Sequence, residues 1–277
     1  MENKVRKKYN DRPRFDERRV KGSLGERPAE IPEGVVAGRN AVRELLSEGR
    51  DVEKIYIQSG KREGSVNLLI GIASERKIPI IELDKPKLDR MCAGANHQGV
   101  IAIASQQDYV SVEDILEYAE SLGEKPFVVL LDGVEDPHNL GAIIRSAECM
   151  GAHGIIIPKR RAVGLNATVA KASAGAISHM RVAKVTNLSS TIDELKAGGM
   201  WFYAADMDGE DLYSSDMKGS VGIVLGSEGE GISRLVKEKC DFVVSIPMYG
   251  KVNSMNVSCA AAVILSNAAH QRKSGEV

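Results

Sequence analysis

The sequence lacks several features that would assign a protein to a common class. Four cysteines are present and none forms a CxxC pair: Cys92, Cys149, Cys240 and Cys259. This spacing disfavours both a zinc site and a disulfide framework. No apolar run approaches the roughly 18 residues that a membrane span needs, and no signal-peptide core follows the charged start. We therefore expect a soluble, cytoplasmic protein with reduced, buried cysteines, no metal and no membrane association.

A strong net charge is also absent, because the 37 Lys and Arg residues are almost balanced in number by 38 Asp and Glu residues. The charges are unevenly distributed: residues 1–30 hold ten Lys/Arg and six Asp/Glu, which leaves 27 and 32 for the remainder. This first segment has little apolar periodicity and few large side chains, which predicts a basic disordered arm over residues 1–32. The arm is either a solubilising tail or an extension that binds RNA phosphates in a salt-dependent way.

No internal repeat of fixed period is visible, and after the arm the chain alternates between helical and strand patterns. Amphipathic helical segments separated by short apolar strands predict a small α/β domain over residues 33–108. Residues 109–125 predict a linker helix, with Ser111 as N-cap and Asp114 three positions later.

The alternation restarts at residue 126 and continues to residue 277. Its strand segments are continuous apolar, β-branched runs between helices, such as FVVLLDGV and GIIIP. Runs of this kind are typical of strands buried on both faces. The second half therefore predicts a mostly parallel sheet covered by helices on both sides.

Polar residues collect at three junctions between a predicted strand and the following helix. They are LLDGVEDPHNLGAIIRSAE, GIVLGSEGEGIS and IPMYGKVNSMNVSCAAAVIL. In an open parallel sheet, ligands bind beyond the carboxyl ends of the strands, where such junctions lie. The glycines of the second junction follow the spacing G-x-x-G-x-G without a Lys-Ser/Thr pair, which matches neither the dinucleotide fingerprint nor a P-loop. Glu228, between those glycines, is suited to accept hydrogen bonds from a ligand or to orient an arginine.

Taken singly, other side chains at these junctions have ordinary explanations. Arg145, on an otherwise apolar helix face, is either a surface ion-pair partner or a cation beside a phosphate or a forming oxyanion. A single histidine such as His138, without a hydroxyl or carboxylate at a telling spacing, is more often a turn residue, and the same holds for His97 and His153. Cys259 is more often a packing residue than a reactive one.

Taken together and in this order, the three junctions resemble the three motifs of the SpoU/TrmH family of RNA 2'-O-ribose methyltransferases. The resemblance covers residues 126–273, and VVAGRNAV with HQGVIAIA resembles the small N-terminal, L30e-like substrate-binding domain of that family. The layout is most similar to that of the bacterial 23S rRNA guanosine-2'-O-methyltransferases. It implies a SPOUT fold, in which the end of a parallel α/β domain forms a deep trefoil knot. It also implies a homodimer that binds S-adenosylmethionine inside the knot.

The resemblance further implies roles for individual residues. The catalytic group would comprise Asn139, Arg145, Glu228, Ser254 and Asn256. The cofactor would be held, largely through backbone groups and apolar contact, by Gly226, Ile246, Met248 and Met255. The implied reaction is 2'-O-methylation of a guanosine ribose in 23S rRNA. Since the motifs report the reaction and not the RNA, a tRNA 2'-O-methyltransferase and a non-catalytic RNA-binding or ribosome assembly factor stay open as alternatives.

The implied chemistry requires activation of a ribose 2'-hydroxyl, which is a poor nucleophile until it loses its proton. A guanidinium gives up a proton very reluctantly. We therefore expect Arg145 to hold the RNA phosphate and stabilise the forming alkoxide, while the phosphate or Glu228 accepts the proton. Asn256 is expected to act in catalysis rather than only to cap the last helix.

Overall fold

Two β-sheets organise the residues that the structure, a computed structural model, describes: 31–60 and 64–274. The predicted basic arm lies outside these residues, except for Ile31 and Pro32. The strands of the first sheet are β1 (Val35–Ala37), β2 (Val52–Gln58), β3 (Ile80–Leu83) and β4 (Val100–Ala104). The helices beside it are α1 (Arg39–Ser47), α2 (Gly64–Glu75) and α3 (Lys85–Met91).

The first sheet is mixed, with strand order β1-β4-β2-β3. Strand β4 pairs antiparallel with β1 and β2, whereas β2 and β3 are parallel. Helices α1 and α2 bury Leu46 and Leu69 against one face, and Leu88 of α3 packs with Ile101 on the other. The small N-terminal α/β domain predicted from the sequence is therefore present.

A helix, α4 (Val112–Ser121), connects the two sheets. The hydroxyl of Ser111 accepts a hydrogen bond from the backbone N–H of Asp114 at 3.0 Å, and the Asp114 carboxylate accepts one from the Ser111 N–H at 2.7 Å. This reciprocal capping box satisfies two N–H groups that the helix start would leave unpaired. The predicted helix and its Ser111 cap are confirmed, while its role as a linker between domains stays a prediction.

The second sheet has six strands in the order β10-β8-β9-β5-β6-β7, and all its strand pairs are parallel. The strands are β5 (Phe127–Asp132), β6 (Gly154–Pro158), β7 (Arg181–Val185), β8 (Trp201–Asp211), β9 (Val221–Gly226) and β10 (Phe242–Ser245). The helices are α5 (Pro137–Cys149), α6 (Ala167–Ala172), α7 (Leu188–Ala197), α8 (Arg234–Lys239) and α9 (Val257–Ser274). Helices α5, α6 and α9 share an apolar core with one face, and α4, α7 and α8 with the other. The predicted parallel sheet with two covered faces is confirmed, while the knot stays a prediction.

Some local expectations are wrong. The segment NATVAKASAGAIS, which its place between two strand segments predicts to be one helix, is α-helical only from Ala167 to Ala172. Ala174 and Gly175 adopt positive φ values of 49° and 91° and interrupt the helix, and a 3-10 turn follows at Ala176–Ser178. Cys149 and Cys259 are exposed, so burial of all four cysteines is not observed.

None of the helices within the described ranges has the length and apolar character of a membrane span.

The histidine at position 153 is a core residue rather than a turn residue. His153 is 2% exposed; its Nδ1 accepts a hydrogen bond from the Phe127 N–H at 2.9 Å, and its Nε2 lies 3.2 Å from the Glu124 carboxylate. Burial lowers the pKa of His153 below its ordinary value, although Glu124 opposes this shift. His153 therefore joins the end of the linker to the first strand of the second sheet.

A buried carboxylate, Glu53, connects the two sheets. It occupies the same face of β2 as Ile55 and Ile57. Its carboxylate accepts hydrogen bonds from the Tyr109 hydroxyl and from the Leu165 N–H at 2.9 Å, and it lies 2.6 Å from Lys184 Nζ. Burial and the negative charge of Glu53 raise the pKa of the Tyr109 phenol. A charged group that would be costly to bury alone is thus paired between the two sheets.

Candidate active site

The site begins where β5 and β9 end side by side. Asp132 and Gly226, the last residues of these strands, are register partners, so the two following loops leave the sheet together. In the first loop, Asp136 caps α5 by accepting a hydrogen bond from the His138 N–H at 2.8 Å, and Pro137 occupies the first helical position. The helix therefore starts just before Asn139, and this side chain lies in its first turn, only 6% exposed.

The second loop, residues 226–233, is a tight turn that presents Glu228. Ser227 and Gly231 exchange two backbone hydrogen bonds of 3.1 Å. A Cβ atom on Gly226 would lie 2.1 Å from the backbone of Gly231, and Gly231 itself has a φ of +68°. The Ser233 N–H donates to Asp132 at 2.8 Å and ties the loop to β5. These glycines therefore shape the turn, which agrees with the absence of a phosphate-loop pattern.

Three of the predicted catalytic side chains form a hydrogen-bonded group, which we call the triad: Asn139, Glu228 and Asn256. The Asn139 amide donates to Glu228 Oε1 at 3.0 Å, and the Asn256 amide donates to Asn139 Oδ1 at 3.0 Å and also to Glu228 Oε1. The other end of the Asn256 side chain, Oδ1, accepts from the backbone N–H of Ser258 at 2.9 Å and caps α9. Asn256 thus both caps a helix and holds Glu228.

Glu228 of the triad lines a cavity of about 720 Å³, the large cavity. All four residues predicted to hold a cofactor line it, together with Ser254. Its wall also contains apolar side chains and carboxylates, among them Leu225, Ile264, Asp206, Asp208 and Glu230. Such a lining suits a ligand that has an apolar ring system and a positive charge.

Glu228 and Asn139 also line a second cavity of about 460 Å³, the polar cavity. It is lined by Asn139 and Arg161 and by five carboxylate side chains: Asp132, Glu135, Asp136, Glu228 and Glu230. The two cavities share Ser227, Glu228, Glu230, Gly231 and Val257. Glu228 therefore lies at the boundary between two adjoining binding spaces, as a reaction between two ligands requires.

Arg145, the fifth residue of the predicted catalytic group, is not brought to the triad. It is exposed on α5, lines neither cavity, and makes no hydrogen bond or ion pair with the described residues. The basic residue that does line the polar cavity is Arg161, which the sequence reasoning missed. Its only signal in the sequence is the basic run KRR directly after the strand segment GIIIP.

Known families and proteins match the chain over both sheets. The model of the SpoU rRNA methylase family matches residues 126–266. A second family model, for RNA 2'-O ribose methyltransferase substrate binding, matches residues 35–110. The YacO protein of Bacillus subtilis (strain 168), assigned to the TrmH family of tRNA/rRNA methyltransferases, is 46% identical over 231 residues, which cover 83% of this chain and 92% of YacO.

Two solved structures extend the comparison. The SpoU methyltransferase AviRb from Streptomyces viridochromogenes, solved in complex with AdoMet, aligns over 91% of this chain and 96% of its own, with a TM-score of 0.56 and 25% identity. The TrmH/SpoU tRNA modifying enzyme from A. aeolicus aligns over 59% of this chain and 85% of its own, with a TM-score of 0.51 and 26% identity. The similarity to AviRb thus spans nearly the whole chain.

Proposed function

Because the chain belongs to the SpoU rRNA methylase family, we propose that it transfers a methyl group from S-adenosylmethionine to the ribose 2'-hydroxyl of a guanosine in 23S rRNA. The observation that carries this proposal is the position of Glu228, the carboxylate of the triad, at the boundary between two cavities. Methyl transfer requires the donor and the hydroxyl to meet at one point, with a group beside them that handles the proton. Glu228 lies at such a point.

The large cavity fits the proposed cofactor. Its apolar side chains, including Leu225, Ile246 and Ile264, would contact the adenine, and the carboxylates of its wall complement the positive sulfonium and ammonium groups. When bound, S-adenosylmethionine supplies an electrophilic methyl group. The AdoMet bound to AviRb supports this assignment of the cavity.

The triad would act on the incoming hydroxyl. Two amide groups, from Asn139 and Asn256, donate to Glu228 Oε1 and fix the carboxylate in one orientation. Within the described part of the chain, no group hydrogen-bonds Oε2 of Glu228. We therefore assign Oε2 as the atom that accepts the proton of the 2'-hydroxyl, and Asn139 and Asn256 as the residues that hold Glu228 in position for this step.

The position of Arg145 supports a homodimer. Its guanidinium lies outside both cavities of its own chain. A two-fold symmetric dimer that packs through α5 would place Arg145 of each chain beside the site of the other. In this arrangement Arg145 keeps its expected role as the cation that stabilises the forming alkoxide.

The small domain, with proposed limits 33–108, would bind the RNA, and a catalytic domain over residues 126–277 would follow the linker at 109–125. The match of residues 35–110 to a substrate-binding family supports this division. The expected cytoplasmic location stays a prediction.

The experiment that tests the function measures methyl transfer from radiolabelled S-adenosylmethionine to in vitro transcripts of 23S rRNA and of a set of tRNAs, followed by mapping of the modified ribose. We expect label on a guanosine 2'-oxygen of the 23S transcript and a large loss in Glu228→Gln. Label on tRNA alone would support the tRNA alternative. Cofactor binding without transfer to either RNA would support the non-catalytic alternative.

A further inference from the structure

The polar cavity is negatively charged apart from one side chain. Among the described residues that line it, Arg161 is the only basic residue, beside five carboxylates. RNA brings phosphate groups of the same sign as those carboxylates, and like charges in a cleft repel. A nucleotide that enters this cavity therefore needs an opposing cation close to the triad, and Arg161 supplies one.

The local structure of Arg161 leaves its guanidinium available. The side chain is exposed and makes no hydrogen bond or ion pair with the described residues. Its backbone φ is +55°, in the left-handed region that residues other than glycine rarely adopt. Such conformations cluster at ligand-binding positions, where they direct a side chain that regular backbone would point elsewhere.

The same basic segment borders a second opening. Lys159, two residues earlier, lines a cleft of about 270 Å³ between the small domain and the second sheet. The other basic residues of this cleft are Arg50, Arg76, Lys77 and Lys184. Lys184 pairs with Glu53, whereas the other four are exposed. Residues 159–161 thus connect a basic cleft to the polar cavity.

We propose that Arg161 binds the RNA phosphate next to the reacting nucleotide, and that Lys159 and the basic cleft bind the adjoining stretch of the RNA backbone. The ligand is single-stranded RNA held through its phosphates, and these contacts position it without reading its sequence. Arg161 is a substrate-binding residue in this proposal and takes no part in proton transfer. The inference rests on the proposed function, since it names the path of that function's substrate.

The test compares Arg161→Gln, Arg161→Lys and Lys159→Gln with a matched control, Lys218→Gln. Lys218 is exposed and precedes the amino end of β9, whereas the cavities lie at its carboxyl end, so the control changes the charge equally at the opposite edge of the sheet. For each protein, RNA affinity is measured between 50 and 200 mM salt with the 23S transcript. KM and kcat for methyl transfer and the affinity for S-adenosylmethionine are measured in parallel.

We expect Arg161→Gln to raise KM for RNA about tenfold at low salt, as the loss of one charge-assisted contact predicts. The ratio of the KM for RNA of Arg161→Gln to that of the wild type should shrink by about threefold between 50 and 200 mM salt, because the RNA releases one fewer counterion when it binds the variant. Lys159→Gln should act in the same direction, Arg161→Lys should keep the salt dependence, and cofactor affinity should stay unchanged in all of them.

If the wild type methylates RNA but Arg161→Gln shows the same KM and salt dependence as Lys218→Gln, the inference is refuted and the proposed function stands. A loss of cofactor affinity in Arg161→Gln as large as its loss of RNA affinity would also refute the inference. A clear fall in its melting temperature would refute it as well, since Arg161 would then be structural. A wild type that methylates no RNA would refute the proposed function itself.

Discussion

Asn256 allows a test that separates helix capping from catalysis, because its two amide atoms perform different tasks. Its Oδ1 caps α9, and its Nδ2 holds Asn139 and Glu228. Asn256→Ser keeps an oxygen that can cap the helix but removes the amide donor. Asn256→Ala removes both. The difference between these two variants measures the cap, and the difference between wild type and Asn256→Ser measures the links to Asn139 and Glu228.

We expect Asn256→Ser to lower the free energy of unfolding by about 2 kcal/mol, because it removes two hydrogen bonds that each contribute about 1 kcal/mol net. Asn256→Ala should cost about 0.5 to 2 kcal/mol more, the value of a lost N-cap. Single-turnover methyl transfer should fall strongly and to a similar extent in both variants. Urea unfolding, cofactor titration and rapid-quench methylation supply the three measurements.

Asn256→Asp provides the complementary perturbation. It keeps the cap but places a second carboxylate within hydrogen-bonding distance of Glu228 Oε1. Two like charges about 4 Å apart repel by about 1 kcal/mol in water and about 4 kcal/mol at the lower dielectric of a protein surface, and the exposure of Glu228 favours the smaller value. The destabilisation relative to wild type should therefore be larger at pH 7 than near pH 4. Wild-type transfer rates in both Asn256→Ser and Asn256→Asp would refute the catalytic role and leave Asn256 as a cap.

Three further predictions follow from other contacts. Because the pKa of His153 is lowered in the folded protein, the unfolded state binds more protons, and the contribution of His153 to stability is complete above pH 6.5 and is lost as the pH falls below that value. His153→Asn keeps an acceptor for the Phe127 N–H and should flatten this part of a curve of unfolding free energy against pH. Glu53→Gln should lower the free energy of unfolding by about 3 kcal/mol because it leaves Lys184 without its charge partner, and adding Lys184→Met should recover part of this loss in the same unfolding assay. If Arg145 acts in the partner's site, mixing inactive Arg145→Gln and Glu228→Gln proteins should restore about one quarter of the wild-type methyl transfer. About half of the dimers are then mixed, and each mixed dimer has one intact site out of two. No recovery after subunit exchange would contradict the arrangement.

The sheet of the second half was predictable because its strands are continuous apolar runs, and the capping box of α4 was predictable from Ser111 and Asp114 alone. The triad was predictable only through the family resemblance. Asn139 lies 89 residues from Glu228 and 117 from Asn256, and no local pattern relates positions so far apart. The fold brings them together because β9 is inserted beside β5.

Two features were not predicted, for different physical reasons. Arg161 reaches the polar cavity through a left-handed backbone conformation, which side-chain pattern does not encode for a residue other than glycine. Glu53 carried a readable signal, since it shares the alternation of Ile55 and Ile57 in β2 and therefore had to be buried. An acidic residue in phase with the apolar face of a strand indicates a paired, buried charge.

The distribution of the triad along the chain also has a consequence for synthesis of the protein. At ribosomal rates of about 5 to 20 residues per second, Asn256 is added about 6 to 23 s after Asn139, because 117 positions separate them. During this interval α5 exists without α9, the helix that shares its apolar core. The nascent chain therefore presents Ile143 and Ile144 without their final cover, and it is open to aggregation or chaperone binding at that stage. On the proposed role of the triad, methyl transfer begins only after translation has passed residue 256, so a nascent enzyme would not modify RNA while its second half is still being made.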